Sequence, residues 1–147
     1  MNVTKENREF IKRKLFDYGY YTNKINECER KLIDVRESIN DCCFVHGVRY
    51  DKPKNEKNVN HSRIHDLVME EGELLDQLKK YENERYSLGL DNILESLNDE
   101  LKELVNLYFI KGYSHNYITT KKQYDYVELV KRKINKALKI IINAYEF

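Results

Sequence analysis

Cys43 and His46, then His61 and His65, have the spacing of a zinc-ligand set, Cys-x2-His followed by His-x3-His. Thiolate sulfur and imidazole nitrogen are the donors zinc takes in tetrahedral sites. Two histidines four residues apart share one helix face and can reach one ion. A metal there would pin a long loop. Against it, the 14 residues between the pairs include a long polar stretch. The plainer reading of two packed thiols and exposed histidines is therefore preferred, and no metal or other cofactor is expected. Catalytic signatures are missing as well: the chain has no GxxxxGK[ST], GxSxG, HExxH or CxxC. Its many carboxylates lie among lysines on helix faces, Cys28 falls on an apolar seam, and an enzyme is not expected.

The other chemistry is electrostatic. Net charge is only +1, but it is unevenly spread. Residues 61–100 hold 4 Lys/Arg against 11 Asp/Glu, whereas residues 111–147 hold 8 against 3. An acidic middle and a basic end call for different neighbours, and the basic end suits a polyanion. Within it, Val127, Val130, Ile134, Ala137, Leu138 and Ile141 recur at helical spacing, with Lys131, Arg132, Asn135, Lys136 and Lys139 largely off that face. A charge run of this kind is often only a solvated face. Tyr113, Tyr117, Tyr124 and Tyr126 could offer hydroxyls to phosphate, although such tyrosines more commonly pack small helical cores.

The elements that must position these residues are helical. One Pro, five Gly and 35% charged residues among regularly spaced Leu and Ile argue for long helices. With 12 Tyr and 5 Phe, the chain is too rich in core formers for a disordered polyampholyte. The three cysteines, Cys28, Cys42 and Cys43, are an odd number and fit a reducing compartment. The start, MNVTKENREF, has no apolar segment of the signal-peptide kind, and no stretch could span a bilayer. A cytoplasmic location, in a bacterial host cell, is the expectation.

Thr4 is placed to cap a first helix over about 4–43, with Glu6 near its positive end. From Tyr18 through Tyr21, Ile25, Cys28, Leu32, Val35 and Ile39 to Cys42, the apolar spacing alternates 3 and 4, a heptad seam. Residues 44–61, with Gly47, Pro53 and Lys-Asn-Glu-Lys-Asn-Val-Asn, read as a loop. A second helix over about 62–97 carries Ile64, Leu67, Glu71, Leu74, Leu78 and Tyr81 on its seam, with Ser87 and Gly89 as points of a kink. Two helices of similar length predict an antiparallel, coiled-coil-like hairpin over 1–98, whose uncovered side calls for a third element or a second copy. The pattern restarts near Asn98 or Asp99. Leu101, Leu104, Val105, Tyr108 and Phe109 form one amphipathic helix stopped at Gly112, Ser114 caps a short second one, and Asp125 is placed to cap the last. Three short helices with the last one basic are the minimum helix-turn-helix, expected over 99–147. The fold class is thus all-α.

At these residues, "LVNLYFIKGYSHNYITTKKQYDYVELVKRKINKALKII" (104–141) resembles region 4 of sigma factors. Upstream, "LFDYGYYTNKINECERKLID" (15–34) and "NHSRIHDLV" (60–68) resemble phage late-transcription regulators of the RinA/ArpU kind. The resemblance implies a phage or prophage DNA-binding regulator with a recognition helix over 126–142. It places Glu128, Lys131, Arg132 and Asn135 at base edges, and Lys121, Lys122, Lys136 and Lys139 at phosphates. The chain departs from the pattern at Thr119, where Ala is usual, and at Gln123, where the turn usually has Gly. Counted from Ile118 to Val130, the turn is one residue longer, and Tyr126, Val127 and Glu128 replace small polar residues. The implied partners are promoter or operator duplex DNA, RNA polymerase, and a second copy through the hairpin, with no membrane. The competing reading is a helical interaction module, an adaptor or inhibitor from a mobile element that does not bind DNA. A DNA-packaging recognition subunit is a third.

Overall fold

A computed structural model describes residues 4–48 and 54–145, with side chains described for 4–42 and 63–145. Among the described residues every regular element is helical and none is a strand. The elements are α1 (Lys5–Val48), α2 (Lys54–Ser87), α3 (Asp91–Glu95), α4 (Asp99–Val105) running into a π-turn (Asn106–Ile110), α5 (His115–Lys121) and α6 (Val127–Ala144). Among the described residues no helix is long and apolar enough to cross a membrane.

The local signals act where the sequence puts them. The Asn7 amide donates to Thr4 Oγ1 at 3.1 Å, closing the start of α1. The Leu101 amide donates to Asn98 Oδ1 at 2.8 Å, and the Tyr117 amide to Ser114 Oγ at 3.1 Å. Gly112 has φ +75° and ends the π-turn, where the Tyr113 amide reaches back to the Leu107 carbonyl at 3.0 Å.

Three boundaries differ from expectation, the first being the end of α1, at Val48 rather than about 43. α2 starts at Lys54, not near 62, so only residues 49–53 of the expected loop 44–61 lie outside the described residues. The polar run after Pro53 contains helix formers and no further breaker, and polarity alone does not separate a helix from a loop. At its other end α2 stops at Ser87 rather than continuing to 97. Gly89 turns the chain at φ +71°, and α3 follows as a separate short helix.

The chain divides into two compact units, one of Met1–Asn23 with Glu82–Phe147 and one of Lys24–Tyr81. The split is not at residue 98, because the start of α1 and the residues around α3 belong with the C-terminal helices. In the first unit Ile11 and Leu15 of α1, Leu90, Leu94 and Leu97 around α3, Leu101, Leu104 and Val105 of α4, Phe109, Ile118 and the apolar face of α6 form one core. Each large aliphatic side chain buried there contributes roughly 1.5–3 kcal/mol.

Gly19 shows how tightly α1 joins that core. A Cβ at Gly19 would collide with the Phe109 carbonyl oxygen and come within 2.9 Å of Ile110 Cα. The helix therefore rests directly on the π-turn backbone. One turn later, Asn23 Nδ2 donates to the Ile110 carbonyl at 3.0 Å. Tyr18 donates its hydroxyl to Asp91 Oδ1 at 2.7 Å, and Arg85 lies 5.4 Å from the Tyr18 ring centre. Burial, and then the Asp91 carboxylate that accepts its proton, push Tyr18 up to about 12.

In the second unit α1 packs on α2 through Leu32, Val35 and Leu74, with Ile39, Leu67 and Leu78 partly buried against them. Ile25 and Cys28 are buried too, so the heptad seam lies where its spacing put it. Arg36 pairs with Glu71 at 3.0 Å here, and Arg85 reaches Thr22 Oγ1 at 3.3 Å in the first unit. Ile33, Val68, Met69 and Leu75 remain exposed on this unit.

Candidate nucleic-acid interface

α6 is strongly amphipathic because its buried residues recur every three or four positions. Val130, Ile134, Ala137, Leu138, Ile141 and Ile142 are buried against α3, α4 and α5. At about 100° per residue, Glu128, Arg132, Lys136 and Lys139 fall on the opposite side, with Lys131 and Asn135 on one flank. Glu128, Lys131, Arg132, Lys136 and Lys139 are all exposed. Lys131, Arg132, Lys136 and Lys139 make no ion pair among the described residues. Arg132 lies 6.0 Å from the Tyr126 ring centre, an exposed cation–aromatic contact that extends its guanidinium along the helix start.

The turn before α6 is built from the residue singled out in the sequence. Gln123 has φ +58°, the left-handed conformation that glycine usually supplies. Its own amide donates to the Thr120 carbonyl at 3.3 Å, and the next amide, Tyr124, donates to Thr119 at 3.0 Å. This pair of bonds is the Schellman closure of α5. Asp125 does not cap α6. The cap position is Tyr126, in extended conformation, and no side chain accepts from the first turn.

Two expected contact residues are already engaged. Lys122 pairs with Glu103 of α4. Asn135, half-buried, accepts from the Arg8 guanidinium of α1. Lys121 stays exposed at the end of α5, with Nζ 4.9 Å from the Tyr113 ring and 5.8 Å from that of Tyr117. Tyr113 and Tyr124 pack against the core, as core-forming tyrosines do, whereas Tyr117 and Tyr126 are exposed. Tyr124 also donates to Glu100 at 2.8 Å, and Lys133 pairs with the same carboxylate at 2.7 Å. Burial and the bond to Glu100 push Tyr124 up to about 12, while Lys133 and Tyr124 together hold Glu100 below the usual carboxylate range. This acidic group steadies the inner edge of α6 and leaves the outer face cationic.

Sequence reasoning missed the start of α1. Arg8 and Lys12 sit four apart there, on one helix face. Lys12, His115, Lys131 and Asn135 line one cleft of about 160 Å³ floored by Tyr108, Phe109, Ile134 and Leu138. His115 stacks on Tyr108, with ring centres 4.4 Å apart. Burial, and then the charges of Lys131 and Lys12, lower the His115 pKa. A larger cleft of about 410 Å³ includes Asp91, Glu95, Asp99 and Glu103 in its lining and has the wrong sign for a polyanion.

Of the zinc-spaced residues, Cys43 and His46 fall on α1 and His61 and His65 on α2, but the side chains of the first three lie outside the described residues. His65 is exposed. No family model matches the chain, and neither a curated protein nor a solved structure is significantly similar to it.

Proposed function

We propose that this protein is a DNA-binding transcription regulator of the phage or prophage type, a binding protein rather than an enzyme. The observation that carries the reading is the solvent side of α6, where Arg132, Lys136 and Lys139 on the outer face and Lys131 on its flank stand exposed and outside any ion pair among the described residues. Four cations on one exposed helix suit a duplex, because an α-helix fits the major groove and cations there displace counterions from phosphate. The α5–turn–α6 connection, closed by the left-handed Gln123, supports the helix-turn-helix resemblance to sigma region 4. In this reading Arg132 and Lys131 approach base edges, and Lys121, Lys136 and Lys139 approach phosphates. RNA polymerase and a second copy of the chain are the further partners.

One observation favours the rival reading of a protein-interaction module. Asn135 spends its side-chain oxygen on Arg8, and Glu128 puts a negative charge at the start of the same face. Binding to random fragments and to the upstream region of its own gene, measured by anisotropy at ~50 and ~200 mM salt, separates the two. Neutralising 6–10 phosphates costs ~10³–10⁵ in affinity over that range. Replacing Lys131 and Arg132 together with alanine abolishes binding under the regulator reading. No binding at the lower salt would sink it and leave the interaction module.

A further inference from the structure

We propose that the cleft between the start of α1 and the flank of α6 is a phosphate-binding site, in which Lys12, His115 and Lys131 hold one tetrahedral anion, and that a backbone phosphate of duplex DNA is its natural occupant. The second half rests on the regulator reading; the first half does not.

Three cationic or protonatable side chains from three separate elements converge on one cleft of about 160 Å³, and no carboxylate lines it. Lys133 and Lys122 of the same unit each have a carboxylate partner, Glu100 and Glu103. Here nothing balances the charge. Like charges gathered at one cleft repel one another, more strongly near a protein surface than in bulk water, and a bound anion relieves that repulsion. His115 feels the imbalance directly: after burial, the charges of Lys131 and Lys12 are what disfavour its protonated form.

The site is also shaped. The Tyr108 ring fixes the imidazole by stacking, and Ile134 and Leu138 form an apolar floor that lowers the local dielectric. Arg8 precedes Lys12 by one helical turn; it donates to Asn135, which lines the cleft, while its buried Nε has no acceptor among the described residues. Buried donors are rarely left unmet. Because Lys131 is common to the cleft and to the exposed face of α6, a phosphate bound here continues the cationic track around the helix. The start of α1 then becomes a clamp that sets how α6 lies on the duplex, a role with no counterpart in a bare helix-turn-helix.

The test uses the full-length protein and two probes, with His115→Gln identifying the His115 ring resonances by NMR. Inorganic phosphate is titrated at constant ionic strength against chloride. Wild type is expected to show a saturable His115 shift with phosphate and not with chloride. Lys12→Gln should weaken that binding at least tenfold, and Lys12→Arg, which keeps the charge, should retain it. Equal responses to both anions, or a Lys12→Gln protein that folds normally and binds phosphate as wild type does, would overturn the site. A 20-base-pair duplex is the second probe. If it moves the His115 resonances, and if Lys12→Gln lowers the slope of log K against log salt by about 0.9, the occupant is a backbone phosphate. A duplex that binds without moving His115 or changing that slope would overturn the DNA half and leave a free phosphate group as the ligand. No duplex binding at all would overturn the regulator reading, while the phosphate titration still decides the site.

Discussion

Gly19 carries no side chain, and α1 lies against the π-turn backbone because of it. An added methyl would meet the Phe109 carbonyl oxygen and Ile110 Cα, both main-chain atoms that cannot swing aside. Alanine is the better helix former by about 1 kcal/mol, yet overpacking against backbone costs typically 1–3 kcal/mol and here should exceed that gain. Gly19→Ala is therefore expected to lower stability by about 2 kcal/mol in urea unfolding. Gly72 is the control: it is also mid-helix, but nothing lies within 4 Å of its added Cβ, so Gly72→Ala should stabilise by roughly 0.5–1 kcal/mol. Equal effects at the two sites would refute the close approach. His115 gives a residue-scale prediction in pH. Its folded pKa lies below the ordinary 6.5, so as pH falls the unfolded chain takes up the proton first. The stability tied to His115 is whole above pH 6.5 and declines below it, until the folded protein also protonates. The groups facing it are Lys12 of α1, Lys131 of α6 and the Tyr108 ring of the π-turn. His115→Gln should lose less stability than wild type between pH 7 and 5.5 in matched thermal melts.

At the scale of elements, what the sequence disclosed was local. The cap residues Thr4 and Ser114, the restart near Asn98, the stop at Gly112 and the 3–4 seam from Ile25 to Val35 all depend on neighbours within a turn or two, and spacing records such neighbours. The start of α2 was misplaced because a polar stretch of helix and a loop share a composition. The π-turn had no signal in periodicity, and Asp125 looked like a cap although the chain enters α6 in extended conformation through Tyr126. Arg8 and Lys12 were invisible as site residues since their partners, Asn135, His115 and Lys131, are more than a hundred positions away. The turn between α5 and α6 was legible in part: Gln123 was marked as the position where glycine is usual, and its φ of +58° agrees. A non-glycine residue there costs roughly 1–2 kcal/mol, partly offset by glycine's greater freedom in the unfolded chain. Gln123→Gly should consequently raise stability by about 0.5 kcal/mol, and Gln123→Val should lower it by more than that, both read from denaturation midpoints. A Gln123→Val protein as stable as wild type would mean that the turn relaxes out of the left-handed conformation.

At the scale of the molecule the question is which part of the chain carries the basic face as a folded body. Composition changes near residue 98, where an acidic stretch gives way to a basic one, and that change marks charge rather than packing. The core around α6 also draws on Ile11 and Leu15 of α1 and on Leu88, Leu90, Leu94 and Leu97, all of which precede that point. A fragment of residues 99–147 would expose the surfaces those side chains cover, and losing even one buried Leu or Ile commonly costs 2–5 kcal/mol, against a typical total of 5–15 kcal/mol. Residues 5–23 and 82–145, by contrast, contain the whole of that core. The Arg85–Thr22 contact brings their inner ends together, so a short glycine-serine loop in place of residues 24–81 can join them. The looped protein should remain helical and melt in one cooperative transition, with the phosphate response of His115 retained. The 99–147 fragment should show low helicity by circular dichroism and no such transition. This also bears on regulation: stronger DNA binding by a truncated chain would report release of an inhibitory segment only if that chain is folded, and the looped protein is the one that allows the comparison. A cooperative melt from residues 99–147 alone would show that α1 and α3 are accessories to a module that folds without them, and that the contact between Arg8 and Asn135 can be shed without unfolding α6.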